Sequence, residues 1–107
     1  MTSARQDKMR QLLRELAANF FNREAGHKSL ITITDATISP DFKQATIYMT
    51  TIPSSEEERA LEFARRKRTE LREYLKTAKF RTLPHLEIKL DMGERNRQKI
   101  DDLLIQG

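Results

Sequence analysis

The residues best suited to binding chemistry in this chain are four consecutive cations, Arg65-Arg66-Lys67-Arg68, set inside a stretch with helical spacing. Apolar residues recur around them at steps of three and four, namely Ala60, Ala64, Leu71, Leu75 and Ala78. The buried stripe of such a helix should pass through position 67 or 68, and both positions are charged. Either the helix kinks there and exposes the turn, or long cationic stems lie along the edge of the core. Arginine pairs bidentately with phosphate and stacks on bases, so this run is suited to a polyanion.

The distribution of charge supports the same interpretation. The chain has 20 Lys and Arg against 16 Asp and Glu, a net charge of +4, and a pI near 9.6. Residues 59–81 hold nine cations and three acids, a local charge of +6, so the remainder carries −2. A basic region on a mildly acidic body is typical of a polyanion binder. The predicted RNA-binding set is Arg65, Arg66, Lys67, Arg68, Arg72, Lys76, Lys79, Arg81, Arg5 and Arg10. The cations of the first helix also fit a merely solvated face.

Catalytic and metal-binding patterns are missing from the sequence. It has no cysteine, which excludes a thiolate zinc site and a cysteine nucleophile. The two histidines, His27 and His85, lie far apart and are expected at the surface. A small hydrolase or nuclease would need an acid/base pair, and none can be named. The three glycines form no phosphate-binding loop. We therefore predict a protein that is not an enzyme and has no metal or other cofactor.

Length and hydropathy predict one cytoplasmic domain covering residues 1–107, with no membrane association. No stretch approaches the roughly 18 consecutive apolar residues of a membrane span, and the first residues lack the apolar centre of a secretory signal. A chain without cysteine suits the reducing cytoplasm. We expect a monomer.

The first half of the chain predicts a helix followed by a β-hairpin. Met9, Leu12, Leu13, Leu16 and Phe20 share one face of a helix over residues 3–23. Residues 30–39 are rich in β-branched side chains, with a slip of the apolar phase at Asp35 that indicates a bulge. Pro40 and Asp41 predict a turn, and the chain returns as a strand over residues 44–50. In that strand, Ala45, Ile47 and Met49 should be buried, with Thr46, Tyr48 and Thr50 outward.

The second half predicts an interrupted helix, a third strand and a terminal helix. After Pro53, Ser54 or Ser55 with Glu57 or Glu58 three residues later has the pattern of a capping box. Beyond Pro84, Leu86, Ile88 and Leu90 alternate with charged residues as a half-buried strand, parallel to the strand that precedes the helical crossover. Residues 94–107 favour a short helix. The fold class is α+β, with a three-stranded mixed sheet, helices on one face and a threonine-rich face toward water.

The aromatic residues allow two interpretations. Tyr74 and Phe80 could stack on bases beside the cations, or both could complete the core, which we favour for Phe80. Tyr48, on the open face of the sheet, is a weaker stacking candidate. The other phenylalanines, namely Phe20, Phe21, Phe42 and Phe63, are expected in the core or at its edge.

Several stretches in this order resemble the ribosome-binding factor A family. They are "SLITITDATISPDFKQATIYMT" at residues 29–50, "LREYLKTAKFRTLPHLEIKLD" at 71–91 and "IDDLL" at 100–104, with "DKMRQLLRELAANFF" compatible with that family's first helix. The resemblance covers almost the whole chain. It implies a single type II KH-like domain of order helix-strand-strand-interrupted helix-strand-helix. It also implies a non-enzymatic factor that associates with free small ribosomal subunits and contacts immature 16S rRNA near its 5′ end and decoding region.

The chain departs from the family pattern at the helix break. The KH loop G-x-x-G is absent, as it is in the family, which has an Ala-x-Gly kink between its two helices. Here Lys67-Arg68-Thr69 occupies that place, so the glycine is missing as well. We also expect no counterpart of the long C-terminal tail that some members carry.

Two functions follow as hypotheses. The first is a maturation factor of the small ribosomal subunit that binds rRNA through residues 65–81, helped by the cationic face of the first helix. The second is a protein-interaction adaptor that docks an acidic partner through the same basic helix. Charge alone does not separate them.

Overall fold

The computed structural model describes residues 4–24, 30–52, 54–78, 80 and 83–93 of the 107-residue chain. In chain order these form α1 (Ala4–Glu24), β1 (Leu30–Ile38), β2 (Gln44–Ile52), a 3₁₀ turn (Ser54–Glu56), α2 (Glu57–Arg66), α3 (Arg68–Lys76) and β3 (His85–Leu90). The α+β class and the predicted element order are confirmed over these ranges. The expected terminal helix over 94–107 lies outside the described residues.

The sheet has the predicted mixed topology, with strand order β1-β2-β3. β1 pairs antiparallel with β2, as expected for two strands joined by a tight turn, and β3 runs parallel to β2 after the crossover through α2 and α3. The register of β1 shifts between Ile33 and Asp35, which confirms the predicted bulge. The Asp35 carboxylate accepts a hydrogen bond of 2.8 Å from the Ala36 amide at this bulge. The bulge brings Ala36 back to the buried face, because one extra residue reverses the side-chain alternation.

The core lies between one face of the sheet and the helices α1, α2 and α3, as predicted. The buried apolar residues are Leu13, Ala17, Phe20, Phe21, Ile31, Ile33, Ala36, Ala45, Ile47, Met49, Ala60, Ala64, Leu71, Leu75, Phe80, Leu86 and Ile88. Alternate residues of the strands supply the sheet side of this cluster, which is why Thr46 and Tyr48 lie half-exposed on the other face. Met9, Leu12 and Leu16 pack at the rim, so the most buried line of α1 runs through Leu13, Ala17 and Phe20.

Thr50 differs from the expectation that it points into water. It is only 4% exposed, although the alternation of side chains along β2 places it on the same open face as Thr46 and Tyr48. Thr34 in the bulge donates a hydrogen bond of 2.6 Å to Asp91, which follows β3, so this contact spans β2 at the level of Thr50. The bulge therefore also allows Thr34 and Asp91 to form a hydrogen bond across the sheet. The alternation of apolar and polar residues in the sequence predicted the bulge but not this contact.

The predicted capping box at the start of α2 is wrong. Ser54 and Ser55 lie inside a 3₁₀ turn, and the N-cap is Glu56, which makes no side-chain capping hydrogen bond. A 3₁₀ turn places its residues in helical conformation, so neither serine has the extended backbone that a capping side chain needs. The acidic first turn of α2, with Glu57 and Glu58, still complements the helix dipole.

The hairpin turn after β1 is held by Ser39 and Asp41. The Ser39 hydroxyl donates to the Asp41 carboxylate at 2.6 Å, and the Lys43 amide donates to the same oxygen at 3.0 Å. The Gln44 amide donates to the Ser39 hydroxyl oxygen at 3.0 Å. The hydrogen bond from Ser39 and that from the Lys43 amide keep the pKa of Asp41 below its ordinary value of 3.8. The turn is therefore most stable with Asp41 ionised, and acid weakens it as the pH falls through the lowered pKa.

We expect Ser39→Ala to raise the pKa of Asp41 toward 3.8, because it removes the hydrogen bond that contributes most to the lowering. An NMR titration of the Asp41 carboxyl carbon measures the midpoint directly. Thr37→Ala, an exposed change on the neighbouring strand, should leave the midpoint where it is. An unchanged midpoint in Ser39→Ala would refute this account of the turn.

Candidate nucleic-acid interface

The predicted interruption of the basic helix is confirmed and lies at one residue, Lys67. α2 ends at Arg66 and α3 begins at Arg68, while Lys67 has φ −84° and ψ 2°. Helical hydrogen bonds continue on both sides, from the Lys67 amide to the Phe63 carbonyl at 3.0 Å and from the Leu71 amide to the Lys67 carbonyl at 2.9 Å. A negative φ is open to any residue, so this break needs no glycine.

The Lys67 side chain lies along the core edge, which supports the alternative of a long cationic stem beside the core. It is 29% exposed, its ammonium lies 5.8 Å from the centre of the Phe63 ring, and it pairs with Glu70 at 3.1 Å. Ala64 and Leu71, on either side of it, are fully buried. The aliphatic stem covers apolar surface while the charged end reaches water.

We expect Lys67→Met to change the free energy of unfolding by less than about 1 kcal/mol, since exposed ion pairs and cation–π contacts are each weak and the stem volume is kept. Urea unfolding followed by circular dichroism measures this. A loss beyond about 2 kcal/mol, the scale of a buried side chain, would show that Lys67 stabilises the break itself.

Three arginines of the basic helix reach the same edge of the sheet. Arg65 Nε donates to the Ile88 carbonyl at 3.3 Å, Arg68 Nη1 to the Leu86 carbonyl at 3.4 Å, and Arg72 Nη1 to the Pro84 carbonyl at 2.7 Å. We call these three side chains the arginine row.

The arginine row results from a match between helix and strand spacing. Its members are three and four residues apart, about one turn or 5.4 Å of helix, and their acceptors are two residues apart, about 6.6 Å of strand. Because the arginine numbers rise while the carbonyl numbers fall, α2 and α3 run antiparallel to β3. The chain therefore presents three guanidinium groups in a line along one strand.

The predicted cations differ in whether acids neutralise them. Lys67 pairs with Glu70 at 3.1 Å and Lys76 with Glu73 at 3.0 Å. In the described ranges, by contrast, Arg65, Arg66, Arg68 and Arg72 form no ion pair. A guanidinium carries five N–H donors, so one bond to a carbonyl leaves others available to a phosphate. Among the described cations of this surface, the four arginines rather than Lys67 and Lys76 are the ones without an ion-pair partner.

The cations of α1 lie beside the hairpin turn. The Arg5 guanidinium lies 5.2 Å from the centre of the Phe42 ring, and Phe42 itself has a φ of 60°. A side chain in that left-handed region costs about 1–2 kcal/mol, which the turn hydrogen bonds and the ring contact offset. Arg10 forms an exposed pair with Asp7 at 4.0 Å. The structure does not bring Arg5 or Arg10 into contact with the arginine row.

Some predicted residues have no described position. Lys79 and Arg81, from the RNA-binding set, and His27 lie outside the described residues. Arg66 is exposed, and it lines a shallow depression with Glu58, Leu61, Glu62 and Arg65. His85 is exposed, as expected.

The aromatic side chains mostly belong to the core. Phe80 is 5% exposed, which supports the core interpretation that we favoured. Tyr74 is half-buried, and its ring centre lies 5.7 Å from that of Phe20 and 5.7 Å from the Arg23 guanidinium. Tyr48 lies half-exposed on the open face of the sheet, the position from which stacking is possible.

Sequence reasoning missed the backbone acceptors of the arginine row. Every residue has a carbonyl, so no side-chain pattern marks the ones on β3 that bind arginine. Only the position of β3 at the outside of the sheet, beside α2 and α3, selects them.

The described part of the chain has neither a metal-binding cluster nor a membrane-spanning helix. No group of three or more His, Cys, Asp or Glu side chains there could hold a metal ion. Among the same residues, no helix combines the length and apolar character needed to cross a membrane.

Comparison with known sequences gives a family match over almost the whole chain. Residues 5–104 match the sequence model of the family described as ribosome-binding factor A. No significant match was found among curated protein sequences.

Solved structures give the same fold. The crystal structure of ribosome-binding factor A from Thermus thermophilus superposes with a TM-score of 0.70 at 24% identity, covering 78% of this chain and 92% of that one. The solution structure of a Thermotoga maritima protein, provisionally described as a ribosome binding factor A, has a TM-score of 0.65 at 17% identity, covering 84% and 88%. At these identities the superpositions establish the fold, in agreement with a KH-like arrangement.

Proposed function

The chain belongs to the ribosome-binding factor A family, and from that premise we propose that it is a maturation factor of the small ribosomal subunit with no catalytic activity. It binds free small subunits and immature 16S rRNA in the cytoplasm, as a monomer. The contact is the basic surface of α2 and α3 within residues 65–81, helped by the cationic face of α1. Family membership accounts for a ribosomal partner and a role in ribosome biogenesis, and the surface of this chain supports the choice of RNA.

One observation carries the proposal: Arg65, Arg66, Arg68 and Arg72 have no carboxylate partner among the described residues, and three of them stand in a line. A solvated helix face normally intersperses acids with cations, as the pairs Lys67–Glu70 and Glu73–Lys76 do here. Charge left uncompensated repels itself in the free protein, and it gains most when it meets phosphate.

The mechanism we propose is occupancy of an immature rRNA junction. Phosphate neutralisation by the arginines provides affinity, and the fit of a rigid helix–strand surface to the RNA provides preference for one site. The hydrogen bonds to β3 restrict the guanidinium orientations before binding, so less side-chain entropy is lost on contact.

Affinity for small subunits should depend steeply on salt. If about six phosphates are contacted, the association constant should fall by roughly a thousandfold or more between 50 and 200 mM salt. A filter-binding series on purified small subunits measures this slope. A flat response would contradict recognition through phosphate.

Treatment of a lysate with RNase should release the protein from its sedimenting complex. Release follows if the arginines contact RNA, because the ligand itself is destroyed. The rival hypothesis, an adaptor that binds an acidic protein, predicts that the chain stays in the complex. Sedimentation before and after treatment, followed by immunoblot, separates the two.

A further inference from the structure

β3 lies at the edge of the sheet, and its outer side faces no other described strand. β3 is the last strand of the order β1-β2-β3, so among the described residues only β2 flanks it. The His85 amide donates to the Lys43 carbonyl and the Asp91 amide to the Met49 carbonyl, both at 2.8 Å, so odd-numbered residues direct their backbone toward β2. Because backbone groups alternate along a strand, those of the even-numbered residues 86, 88 and 90 point to the opposite edge. Such an edge is a template for pairing with another strand.

The residues of this edge are complementary to a second copy of themselves. They read Leu86-Glu87-Ile88-Lys89-Leu90. In an antiparallel pair centred on Ile88, each Glu87 lies opposite Lys89 of the other copy, and Leu86 lies opposite Leu90. Opposite charges directly across an antiparallel pair are favourable. At the centre, the Ile88 residues of the two copies lie opposite each other and exchange two backbone hydrogen bonds. The Glu87 and Lys89 side chains are each about half exposed, 53% and 51%, so both can reach a partner.

The arginine row occupies this edge in the free protein. The carbonyls of Leu86 and Ile88, which an added strand would use as acceptors, accept hydrogen bonds from Arg68 and Arg65 instead. Arg72 binds the Pro84 carbonyl, just before the strand begins. The guanidinium groups also lie where the backbone of an incoming strand would have to pass. Charged groups over an edge strand are a known protection against pairing.

We propose that Arg65, Arg68 and Arg72 guard β3 against addition of a second copy of this chain, which would otherwise pair with it as an antiparallel strand through residues 86–90. This role concerns self-association and does not depend on binding to RNA. The two roles use the same side chains.

The test is the mass of the full chain with the guard removed. Light scattering during size-exclusion chromatography should give the mass of one chain for the wild type at all concentrations. The variant Arg65→Ala/Arg68→Ala/Arg72→Ala should shift toward the mass of two chains as concentration rises. The control Arg23→Ala/Lys43→Ala/Arg59→Ala lowers the net charge of +4 by the same three units at exposed positions outside the arginine row, and should stay a single chain.

Charge exchange on β3 identifies the paired strand. Adding Lys89→Glu to the triple variant places Glu opposite Glu across the pair and should return the protein to the mass of one chain. Exchanging both charges, Glu87→Lys with Lys89→Glu, should restore the two-chain mass.

Three outcomes would overturn the proposal. They are a two-chain mass for the wild type, a one-chain mass for the folded triple variant at every concentration, and self-association that Lys89→Glu does not reverse. If the triple variant loses its circular dichroism signal, Arg68→Ala alone tests the same claim, because it vacates only the Leu86 carbonyl. It should self-associate measurably, and a strictly one-chain mass would then count against the guard.

Discussion

Replacing Arg65, Arg66 and Arg68 together by alanine is expected to lower the affinity for small ribosomal subunits by about 10²- to 10³-fold at 0.1 M salt, abolishing co-sedimentation. The magnitude follows from counterion release, since each neutralised phosphate contributes close to one logarithmic unit at that salt concentration. The slope of log affinity against log salt should fall by about 2 to 3 as well. Filter binding at nanomolar protein measures both quantities, at concentrations too low for self-association to compete.

The matched control for this experiment is Arg23→Ala/Lys43→Ala/Arg59→Ala. It removes three exposed cations that lie outside residues 65–81 and outside the predicted RNA-binding set. We expect its salt slope to remain near that of the wild type. Equal losses in the two variants would mean that net charge alone, not the basic surface of α2 and α3, determines binding.

Ile47→Ala is expected to lower the free energy of unfolding by about 2–5 kcal/mol, a large part of the roughly 5–15 kcal/mol of a typical domain. Ile47 is fully buried in β2, the central strand, where the helices cover it and the neighbouring strands hold the backbone in place. The lost methyl groups leave a cavity that a close-packed sheet fills poorly. Urea unfolding at equilibrium measures the change as a lower midpoint with an unchanged slope.

Ile52→Ala makes the same chemical change at the end of the same strand. Ile52 is 56% exposed, so little apolar surface is lost and no cavity forms. We expect a change within about 0.5 kcal/mol. If the two variants lose similar stability, then strand propensity, not burial, dominates at both positions.

The sequence predicted the helices and strands well, because the periodicity that indicates each of them involves only residues close together in the chain. The β-branched alternation predicted both strands of the hairpin, and the slip at Asp35 located the bulge that the register confirms. The crossover length fixed the parallel direction of β3. The break at Lys67 followed from charged residues in the predicted apolar stripe, because a strongly hydrated side chain interrupts the packing of a buried helix face.

Predictions that depended on competition between neighbours were less successful. Ser54 and Ser55 had the right spacing from Glu57 and Glu58 for a capping box, but residues 54–56 form a 3₁₀ turn instead. The order of residues is compatible with either structure, so the sequence alone cannot distinguish them. Thr50 had the right phase to be exposed, but the contact between Thr34 and Asp91, 57 positions apart, spans β2 beside it. Such a contact exists only after three strands have come together.

The sequence by itself determined that this protein has an α+β core and a basic, interrupted helix, because periodicity and charge counts are properties of consecutive residues. Only the tertiary structure decided which of those cations remain uncompensated and where they point. Glu70 and Glu73 neutralise Lys67 and Lys76 within a helical turn, whereas the arginines reach β3, a strand that begins 13 residues after Arg72. The line of guanidinium groups depends on packing a helix beside a sheet edge, since one helical turn and two strand residues have nearly the same length.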